Sequence, residues 1–541
     1  MRRAFCAVGF IALIILLPRA AVIGLAGDYV DPVGRITAQD EALYAHSAIS
    51  MAVRGDWLTP RFMGRFALYK PPLLYWGAAL SAKIFGIARL PLRLPVALLA
   101  ALASGLVFLW AAEVYNWQAA VAAVMLLLSN HLWVTLGALC MTDALLAAFS
   151  IAALYVLFSD PWLESRGALV GFAAAVAAAI LAKGIAGILP FGVLGLHWLA
   201  APRKHQPSLG RVCLAGALAL LLALPWFAYQ AMVHHRWFWA EHFGIEILGY
   251  GGGAPPQTSH EPQALFYLAR LAATDPILLA MAVAALPIFG GELRRRSPAA
   301  TLLACWIAVA SAAVMVWQYR NASYLLPLVP ALAILAAAHG PFVQRRYAPW
   351  MLACLAAAFI VKCAVPEMPW GLAFQPATVQ PLALPLATYC GQGRGNPLIV
   401  VDLVDDLYAS TLPLQTLRYA ALVAGPSDQN YGMPFQEMGI AVTVEQYNDL
   451  AALAPQFRER LRQWGIDSSD PIATLIVAHD PDELGALTMT HGEADFLVPA
   501  RYRSAVALAP HAISPAGRDY FFLIARQRKE RTTPPGWTCH M

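Results

Sequence analysis

Side chains that can do acid-base chemistry lie close together near residue 40 of the sequence. Thr37 stands three residues before Asp40, an acid-bearing variant of the capping box that starts a helix. On such a helix Asp40 and Tyr44 share one face. A carboxylate placed there can remove a proton from a substrate as a general base. Alternatively, Asp40 only complements the positive end of the helix dipole.

Basic and aromatic side chains follow in the same stretch. They are Arg54, Arg61, Arg65 and Lys70, with Trp57, Tyr69, Tyr75 and Trp76. Cations of this kind bind phosphate oxygens, while aromatic rings also serve as anchors at a membrane interface. Together with Asp40 and Glu41, the set favours a site that handles an anionic substrate.

The composition predicts a membrane protein as the setting for this site. Of 541 residues, 59% are hydrophobic and 13% are charged, and the mean hydropathy is +0.58. Soluble domains carry roughly 25% charged residues, so a soluble enzyme is excluded. The net charge of +5 is modest and the basic residues fall in small groups, a pattern that argues against nucleic-acid binding.

Eleven apolar segments approach the length that crosses a bilayer. They are 7–25, 90–112, 118–137, 141–158, 167–182, 185–201, 212–231, 268–289, 299–317, 322–338 and 349–366. The first follows Arg2 and Arg3 and lacks a convincing cleavage site, so we expect a retained signal anchor with a cytoplasmic N-terminus.

The distribution of basic residues agrees with this topology. The loops predicted to be cytoplasmic hold Arg166, Arg203, Lys204, Arg211, Arg294, Arg295, Arg296, Arg345 and Arg346, as the positive-inside rule requires. Three parts of the chain are then outside together, namely the loops at about 28–89 and 232–267 and everything after about 366.

The sequence changes character after residue 366. Polar composition and short apolar runs predict strands at Leu398–Val401, Ala473–Val477 and Phe521–Ala525, with a helix at Val444–Trp464. We therefore expect a transmembrane domain over 1–366 and a small mixed α/β domain over 367–541 on the outer face. Cys390 and Cys539 both fall in this second domain and permit a disulfide.

A series of short motifs, spread in order over residues 31–335, resembles one family. The series resembles the polyprenyl-phosphate-dependent GT-C membrane glycosyltransferases, which include lipid A aminoarabinose transferases and bacterial relatives of protein O-mannosyltransferases. The motifs are Asp40-Glu41, Gly55-Asp56-Trp57, Lys70-Pro71-Pro72, Arg93-Leu94-Pro95, Thr142-Asp143, Lys183-Gly184, Leu224-Pro225-Trp226, Trp239-Ala240-Glu241-His242 and Arg320-Asn321-Ala322-Ser323-Tyr324.

The resemblance implies an α-helical polytopic protein of GT-C architecture that transfers a sugar from polyprenyl (undecaprenyl) phosphate to a lipid A-like acceptor. The reaction is placed at the outer face of a bacterial inner membrane. The implied catalytic residues are Asp40, the candidate base, with Asp143 and Glu41. The implied phosphate ligands are Lys70, Arg61, Lys183 and Arg320, and the pocket residues are Tyr44, Trp57, Tyr69, Tyr324, Glu241 and His242.

The chain departs from the family pattern at two positions. Aminoarabinose transferases usually carry a metal-ligating acid immediately before the Lys-Pro pair, where this chain has Tyr69. His260 matches the partner ligand, so a divalent metal at His260 and a solvated loop histidine both stay open. Arg320 stands where relatives often have lysine, which retains the charge and adds bidentate phosphate geometry.

Two other functions remain open at this point. A protein O-glycosyltransferase of the same family would use a protein as acceptor. A flippase or transporter of a lipid-linked sugar would carry its polar residues near the bilayer midplane, often in paired halves. The predicted cluster lies at the outer surface instead, which favours a transferase.

Overall fold

The protein is helical over most of the part that the structure describes. The computed structural model describes residues 2–22, 38–62, 65–202, 206–252, 262–340 and 348–364, together with five strands between 397 and 526. The helices are α1 (Arg2–Val22), α2 (Ala38–Arg54), α3 (Leu73–Phe85), α4 (Arg89–Val114), α5 (Trp117–Leu128), α6 (His131–Leu136), α7 (Thr142–Ser159), α8 (Arg166–Lys183), α9 (Leu189–Ala200), α10 (Leu209–Val233), α11 (His235–Phe238), α12 (Gln263–Thr274), α13 (Pro276–Arg294), α14 (Pro298–Val316), α15 (Val329–His339) and α16 (Ala348–Ala364).

Seven helical stretches among the described residues are long and apolar enough to cross a membrane. They are α1, α4, α7, the continuous stretch of α8 and α9, α10, α13 and α14. Four shorter apolar helices, α3, α5, α15 and α16, accompany them. A polytopic membrane protein is thus confirmed, while the number of eleven crossings and the orientation of the termini stay predictions.

Two predicted segments are wrong as single helices. The segment 118–137 is interrupted after α5, because the Asn130 side chain accepts the Trp133 backbone N–H at 3.0 Å and starts α6. The segment 268–289 is interrupted after α12, because Asp275 accepts the Leu278 N–H at 3.2 Å and starts α13. Both residues are N-caps, which begin a new helix by satisfying its free amides.

The start of α15 also differs from the prediction. The segment 322–338 begins with one 3₁₀ turn, Ala322–Leu325, and the α-helix starts only at Val329. Asn321 accepts the Ser323 N–H at 3.0 Å and caps the 3₁₀ turn. This turn holds Tyr324 apart from the apolar helix that follows.

The core of the helical region is built from small side chains. Helix α4 packs against α1, α5 and α7, and α8 packs against α7 and α10. Alanines such as Ala97, Ala100 and Ala123 are fully buried at these contacts. Small residues allow helix backbones to approach closely inside a membrane, so the alanine-rich runs produce a tightly packed scaffold.

A short hairpin lies between α2 and α3. Its strands are β1 (Arg61–Phe62) and β2 (Arg65–Phe66), which pair antiparallel. The Leu58 carbonyl just before the hairpin accepts hydrogen bonds from the Trp226 indole at 2.9 Å and the Gln230 amide at 2.6 Å, both on α10. These bonds hold the segment that leads to Lys70 against α10.

The remaining strands form one mixed sheet near the C-terminal end. The strands are β3 (Pro397–Asp402), β4 (Tyr419–Ala424), β5 (Ile440–Ala441), β6 (Ala473–Ala478) and β7 (Phe521–Arg526), in the order β5-β4-β3-β6-β7. Only the β6–β7 pair is antiparallel. The three predicted strands are present, whereas β4 and β5 were not predicted.

Two further predictions for this region lie outside the described residues. They are the helix Val444–Trp464 and the pair Cys390 and Cys539. The domain boundary at residue 366 therefore stays a prediction.

Candidate active site

The structure brings four charged residues from distant parts of the sequence to one place. Asp40 lies in the first turn of α2 and is partly buried. Its charged neighbours are Lys70 before α3, Asp143 in the first turn of α7, and Lys183 at the end of α8. These two carboxylates and two ammonium groups form one largely buried cluster.

Asp143 forms an ion pair with Lys183. An aspartate in the first turn of a helix can also cap it. The N-cap of α7 is Met141, which makes no side-chain cap, and the Asp143 carboxylate turns to Lys183 instead. The same ammonium lies 4.8 Å from the centroid of the Tyr324 ring, a cation–π contact.

Gly184 determines how Lys183 reaches the cluster. Its φ of 58° is in the left-handed region, which ends α8 and which glycine adopts without strain. A β-carbon at this position would stand 3.3 Å from Cε1 of His242. The Lys183-Gly184 pair thus provides a cation at a helix end and room for a neighbouring imidazole.

Lys70 is paired with Glu246, a residue that the sequence analysis did not select. Glu246 belongs to the π-helical segment Trp239–Gly249. Five residues separate Glu241 from Glu246, about 140° apart on an α-helix, but the wider π-helical turn brings such residues toward one face. The pairing depends on this uncommon geometry, so an α-helical periodicity search misses it.

The backbone around Lys70 is held by the same π-helical segment. The Leu68 N–H donates to the Glu241 carboxylate at 2.8 Å, and Nδ1 of His242 lies 2.9 Å from the Tyr69 carbonyl oxygen. A carbonyl only accepts, so Nδ1 carries the proton. Glu241 and His242, predicted as pocket residues, thus position the chain that presents Lys70.

Burial changes the proton affinities in the cluster. It raises the pKa of Asp40 above its ordinary value, assisted by the charge of Asp143 and opposed by Lys70 and Lys183. Burial and the neighbouring Lys183 lower the pKa of Lys70 to about 7. Burial also lowers the pKa of His242 to about 4, so its imidazole is neutral at pH 7.

Tyrosine side chains line the cluster. Tyr44 lies one helical turn after Asp40, and the charges of Asp40 and Asp143 act on its hydroxyl. The charges of the same two carboxylates also act on the Tyr324 hydroxyl. Both residues were predicted as pocket residues, and both are placed beside the candidate base.

Three other predicted residues contact aromatic side chains. The Arg61 guanidinium lies 4.3 Å from the Phe66 ring centroid within the hairpin. The Trp57 carbonyl accepts the Trp76 indole N–H at 2.6 Å. Arg320 lies 6.0 Å from the ring centroid of Phe266, on α12.

Glu41 has a structural contact that the sequence analysis did not foresee. Both of its carboxylate oxygens accept from the Arg93 guanidinium, at 2.6 and 2.7 Å, and one also accepts the Cys140 N–H at 2.8 Å. Glu41 is 1% exposed. Since its oxygens are engaged in this buried clamp, we correct its predicted catalytic role to a positioning role.

The predicted metal ligand, His260, lies outside the described residues. Within the part of the chain that is described, no group of three or more His, Cys, Asp or Glu side chains is arranged to hold a metal ion. Metal binding at His260 therefore stays a prediction.

Comparison with known sequences gives the cluster a context. The profile of the dolichyl-phosphate-mannose-protein mannosyltransferase family matches residues 69–229, which include Lys70, Asp143 and Lys183. An undecaprenyl phosphate-alpha-4-amino-4-deoxy-L-arabinose arabinosyl transferase of Sodalis glossinidius is 27% identical over 318 residues, 57% of this chain and 55% of that protein. Its Proteus mirabilis counterpart is 27% identical over 331 residues, 57% of this chain and 56% of that protein. The match thus spans little more than half of these relatives.

Comparison with solved structures extends the likeness to the whole fold. ArnT from Cupriavidus metallidurans bound to undecaprenyl phosphate superposes with a TM-score of 0.65 at 18% identity, covering 98% of both chains. The apo form gives a TM-score of 0.62 at 19% identity, covering 96% of this chain and 97% of that one. These comparisons confirm the resemblance that the motifs predict: the chain is similar in sequence to undecaprenyl phosphate aminoarabinose transferases over little more than half of its length, and it has the fold of ArnT.

Proposed function

We propose that the protein is a GT-C glycosyltransferase that moves a sugar from a polyprenyl phosphate to an acceptor at the outer face of a bacterial inner membrane. The observation that carries the proposal is the buried cluster in which the charges of Lys70, Lys183 and Asp143 all act on Asp40, and in which Asp143 pairs with Lys183. An anionic leaving group needs cations, and an attacking acceptor needs a base; the cluster offers both.

Lys70 and Lys183 are proposed to bind the donor phosphate. Their positive charges hold the phosphate and stabilise it as it leaves with the electron pair of the broken glycosidic bond. Asp143 keeps Lys183 oriented through their ion pair. Lys70 becomes available when phosphate takes the place of the Glu246 carboxylate.

Asp40 is proposed to act as the general base. An acceptor oxygen forms a bond to the anomeric carbon, its proton goes to the Asp40 carboxylate, and the bond from that carbon to the phosphate oxygen breaks. Burial raises the pKa of Asp40, which makes its carboxylate a stronger base than an exposed aspartate. By resemblance to the family we expect inversion at the anomeric carbon.

The other predicted residues receive supporting roles. Tyr44 and Tyr324 line the pocket beside Asp40, whereas Glu241, His242 and the Tyr69 carbonyl hold the Lys70 segment. Arg61 and Arg320 are proposed as further phosphate ligands when the lipid-linked donor is bound. Trp57 supports α3 through Trp76.

The transferred sugar is proposed to be aminoarabinose or another pentose or hexose, with a lipid A-like lipid as acceptor. The names of the curated relatives support undecaprenyl phosphate aminoarabinose as donor. The family profile over residues 69–229 is named for protein mannosyltransfer, so a protein acceptor is the second candidate.

The decisive experiment is sugar transfer by the purified full chain in lipid vesicles. Donors are radiolabelled polyprenyl-phosphate sugars from a membrane extract, and the variants are Asp40→Asn and Lys70→Ala. Glu113→Gln is the matched control, because this exposed carboxylate lies at the C-terminal end of α4 and accepts a hydrogen bond from the Tyr155 hydroxyl at 3.0 Å.

We expect wild type and Glu113→Gln to transfer label, and both cluster variants to lose at least about 100-fold in rate. The chemical nature of the labelled product then identifies the acceptor. Normal transfer by Asp40→Asn would refute the assigned base. Lack of transfer by wild type with competent donor and acceptor would favour a flippase.

A further inference from the structure

The Tyr75 hydroxyl is a buried polar group for which the mechanism above has no use. Tyr75 lies on α3, five residues after Lys70, and is 0% exposed. In the described part of the chain its hydroxyl has no hydrogen-bond partner. An unsatisfied buried hydroxyl costs free energy, and its presence in a folded protein calls for an explanation.

The position of the Tyr75 hydroxyl offers an explanation for its missing partner. The Tyr75 and Tyr44 rings lie 6.1 Å apart between centroids. The carboxyl groups of Glu241 and Asp40 are among the charges that act on the Tyr75 hydroxyl. The unpartnered group therefore lies in the same buried region as the candidate base.

Trp76, the next residue on α3, does have a hydrogen-bond partner within the protein. Trp76 is adjacent in sequence, and its indole N–H donates to the Trp57 carbonyl at 2.6 Å. Tyr75, on another face of the same helix turn, has no such acceptor. The missing partner is thus a local property of the side that faces the cluster.

We propose that the Tyr75 hydroxyl makes a hydrogen bond with a hydroxyl group of the sugar being transferred. The inference rests on the proposed function and adds a sugar-positioning residue to it. A phenol both donates and accepts, as a sugar hydroxyl does. The phosphate is assigned to Lys70 and Lys183, and carboxylates such as Asp40 and Glu241 near Tyr75 disfavour a second anion.

The test uses Tyr75→Phe, which removes the hydroxyl and retains the ring. Because the hydroxyl has no partner in the protein, the thermal midpoint should stay the same or rise. Transfer from the lipid-linked sugar should fall about 10- to 100-fold in kcat/KM, since the substrate loses a hydrogen bond in a buried site. Binding of undecaprenyl phosphate, which carries no sugar, should be unchanged.

Ser150→Ala is the matched control. Ser150 is also fully buried, and its hydroxyl likewise has no partner in the described residues. It lies on α7 seven residues after Asp143, about 10 Å along the helix. Removing its hydroxyl should leave the transfer rate unchanged, and the thermal midpoint should stay the same or rise for the same reason as in Tyr75→Phe.

Three results would overturn the inference while leaving the proposed function in place. Unchanged transfer by Tyr75→Phe would mean that the hydroxyl contacts no substrate. A lowered thermal midpoint would mean that it stabilises the fold. Equal weakening of undecaprenyl phosphate binding and transfer would mean that it binds phosphate. If wild type itself transferred no sugar, the proposed function would fail, and this inference with it.

Discussion

Lys70 is paired with the Glu246 carboxylate at the position where the proposed function places the donor phosphate. The side chains of this ion pair are 11% and 19% exposed, so solvent screens it only partly. On this proposal, donor binding exchanges one anion for another, and part of the phosphate affinity is used to separate the pair. Glu246 is then expected to lower the affinity for the donor and to keep Lys70 paired in its absence.

The variant Glu246→Gln should therefore bind undecaprenyl phosphate more tightly. At pH 6, where Lys70 is protonated, we expect about a three- to tenfold lower Kd, because the competing charge is worth on the order of 1 kcal/mol. Binding of the fluorescent or radiolabelled lipid phosphate to protein in detergent measures it. Glu113→Gln is the control, and an unchanged or higher Kd for Glu246→Gln would contradict anion exchange.

The expected pH dependence of transfer follows from two residues that must be in opposite protonation states. Asp40 must be deprotonated, so the rate falls as pH falls through its raised pKa. Lys70 must be protonated, so the rate falls as pH rises through its pKa of about 7. We expect a bell-shaped profile of kcat/KM, whose limbs report the free enzyme.

Lys70→Arg tests the assignment of the alkaline limb. A guanidinium stays protonated in proteins, so the alkaline limb should move to higher pH while the acid limb, which belongs to Asp40, stays in place. The profile is measured with saturating acceptor and subsaturating donor. An alkaline limb that does not move would assign it to another group.

Among the helices, the placement of α2 matters most for the candidate site, because α2 carries Asp40. The adjacent Glu41 holds the helix by a bidentate pair with Arg93 of α4, which also donates to the Ala20 carbonyl of α1 at 3.1 Å. Cys140, in the turn before α7, donates to the same carboxylate. Glu41 thus joins α2 directly to α4 and to the turn before α7, and Arg93 extends the connection to α1.

Two neighbouring acids on α2 should therefore respond differently to loss of charge. Glu41→Gln leaves Arg93 buried without its counter-charge and should cost about 3 kcal/mol of stability; Asp40→Asn should leave the thermal midpoint unchanged or higher, since burial disfavours its charged form. Thermal unfolding in detergent, beside transfer assays, separates the two. Equal thermal midpoints would show that the clamp is dispensable.

Across the whole molecule, a second buried ion pair connects the last described helix to the scaffold. Lys362 of α16 contacts Asp275, the N-cap of α13, at 3.1 Å and donates to the Ser129 carbonyl at 2.8 Å. Both charged residues are at most 1% exposed. The chain continues from α16 toward the strands of the C-terminal sheet, so this contact secures the helix that precedes them.

Replacing one member of this pair should be worse than replacing both. Lys362→Met leaves a buried carboxylate without its cation and should cost about 3 kcal/mol. The double variant Lys362→Met with Asp275→Asn should recover much of that loss, since no isolated charge remains. Thermal midpoints of the single and double variants give the comparison, and simple additivity would contradict the coupling.

The sequence by itself determined the helical, membrane-embedded class and most of the candidate site. Long apolar runs leave few alternatives to helices, because a bilayer cannot satisfy free backbone groups. Asp40 and Tyr44 were correctly placed on one face by helical spacing. The family resemblance selected Lys70, Asp143 and Lys183, which lie far apart along the chain but meet in the structure.

Only the tertiary structure decided which side chains the candidate site residues contact, and therefore which role each one has. Asp40 and Glu41 are adjacent and chemically similar, but about 100° apart on the helix, so one faces the cluster and the other faces Arg93. Glu246 lies in a π-helical segment and pairs with Lys70, a contact that α-helical spacing does not indicate. Side-chain partners depend on how helices rotate and pack against one another, and that is determined by contacts between residues distant in the sequence.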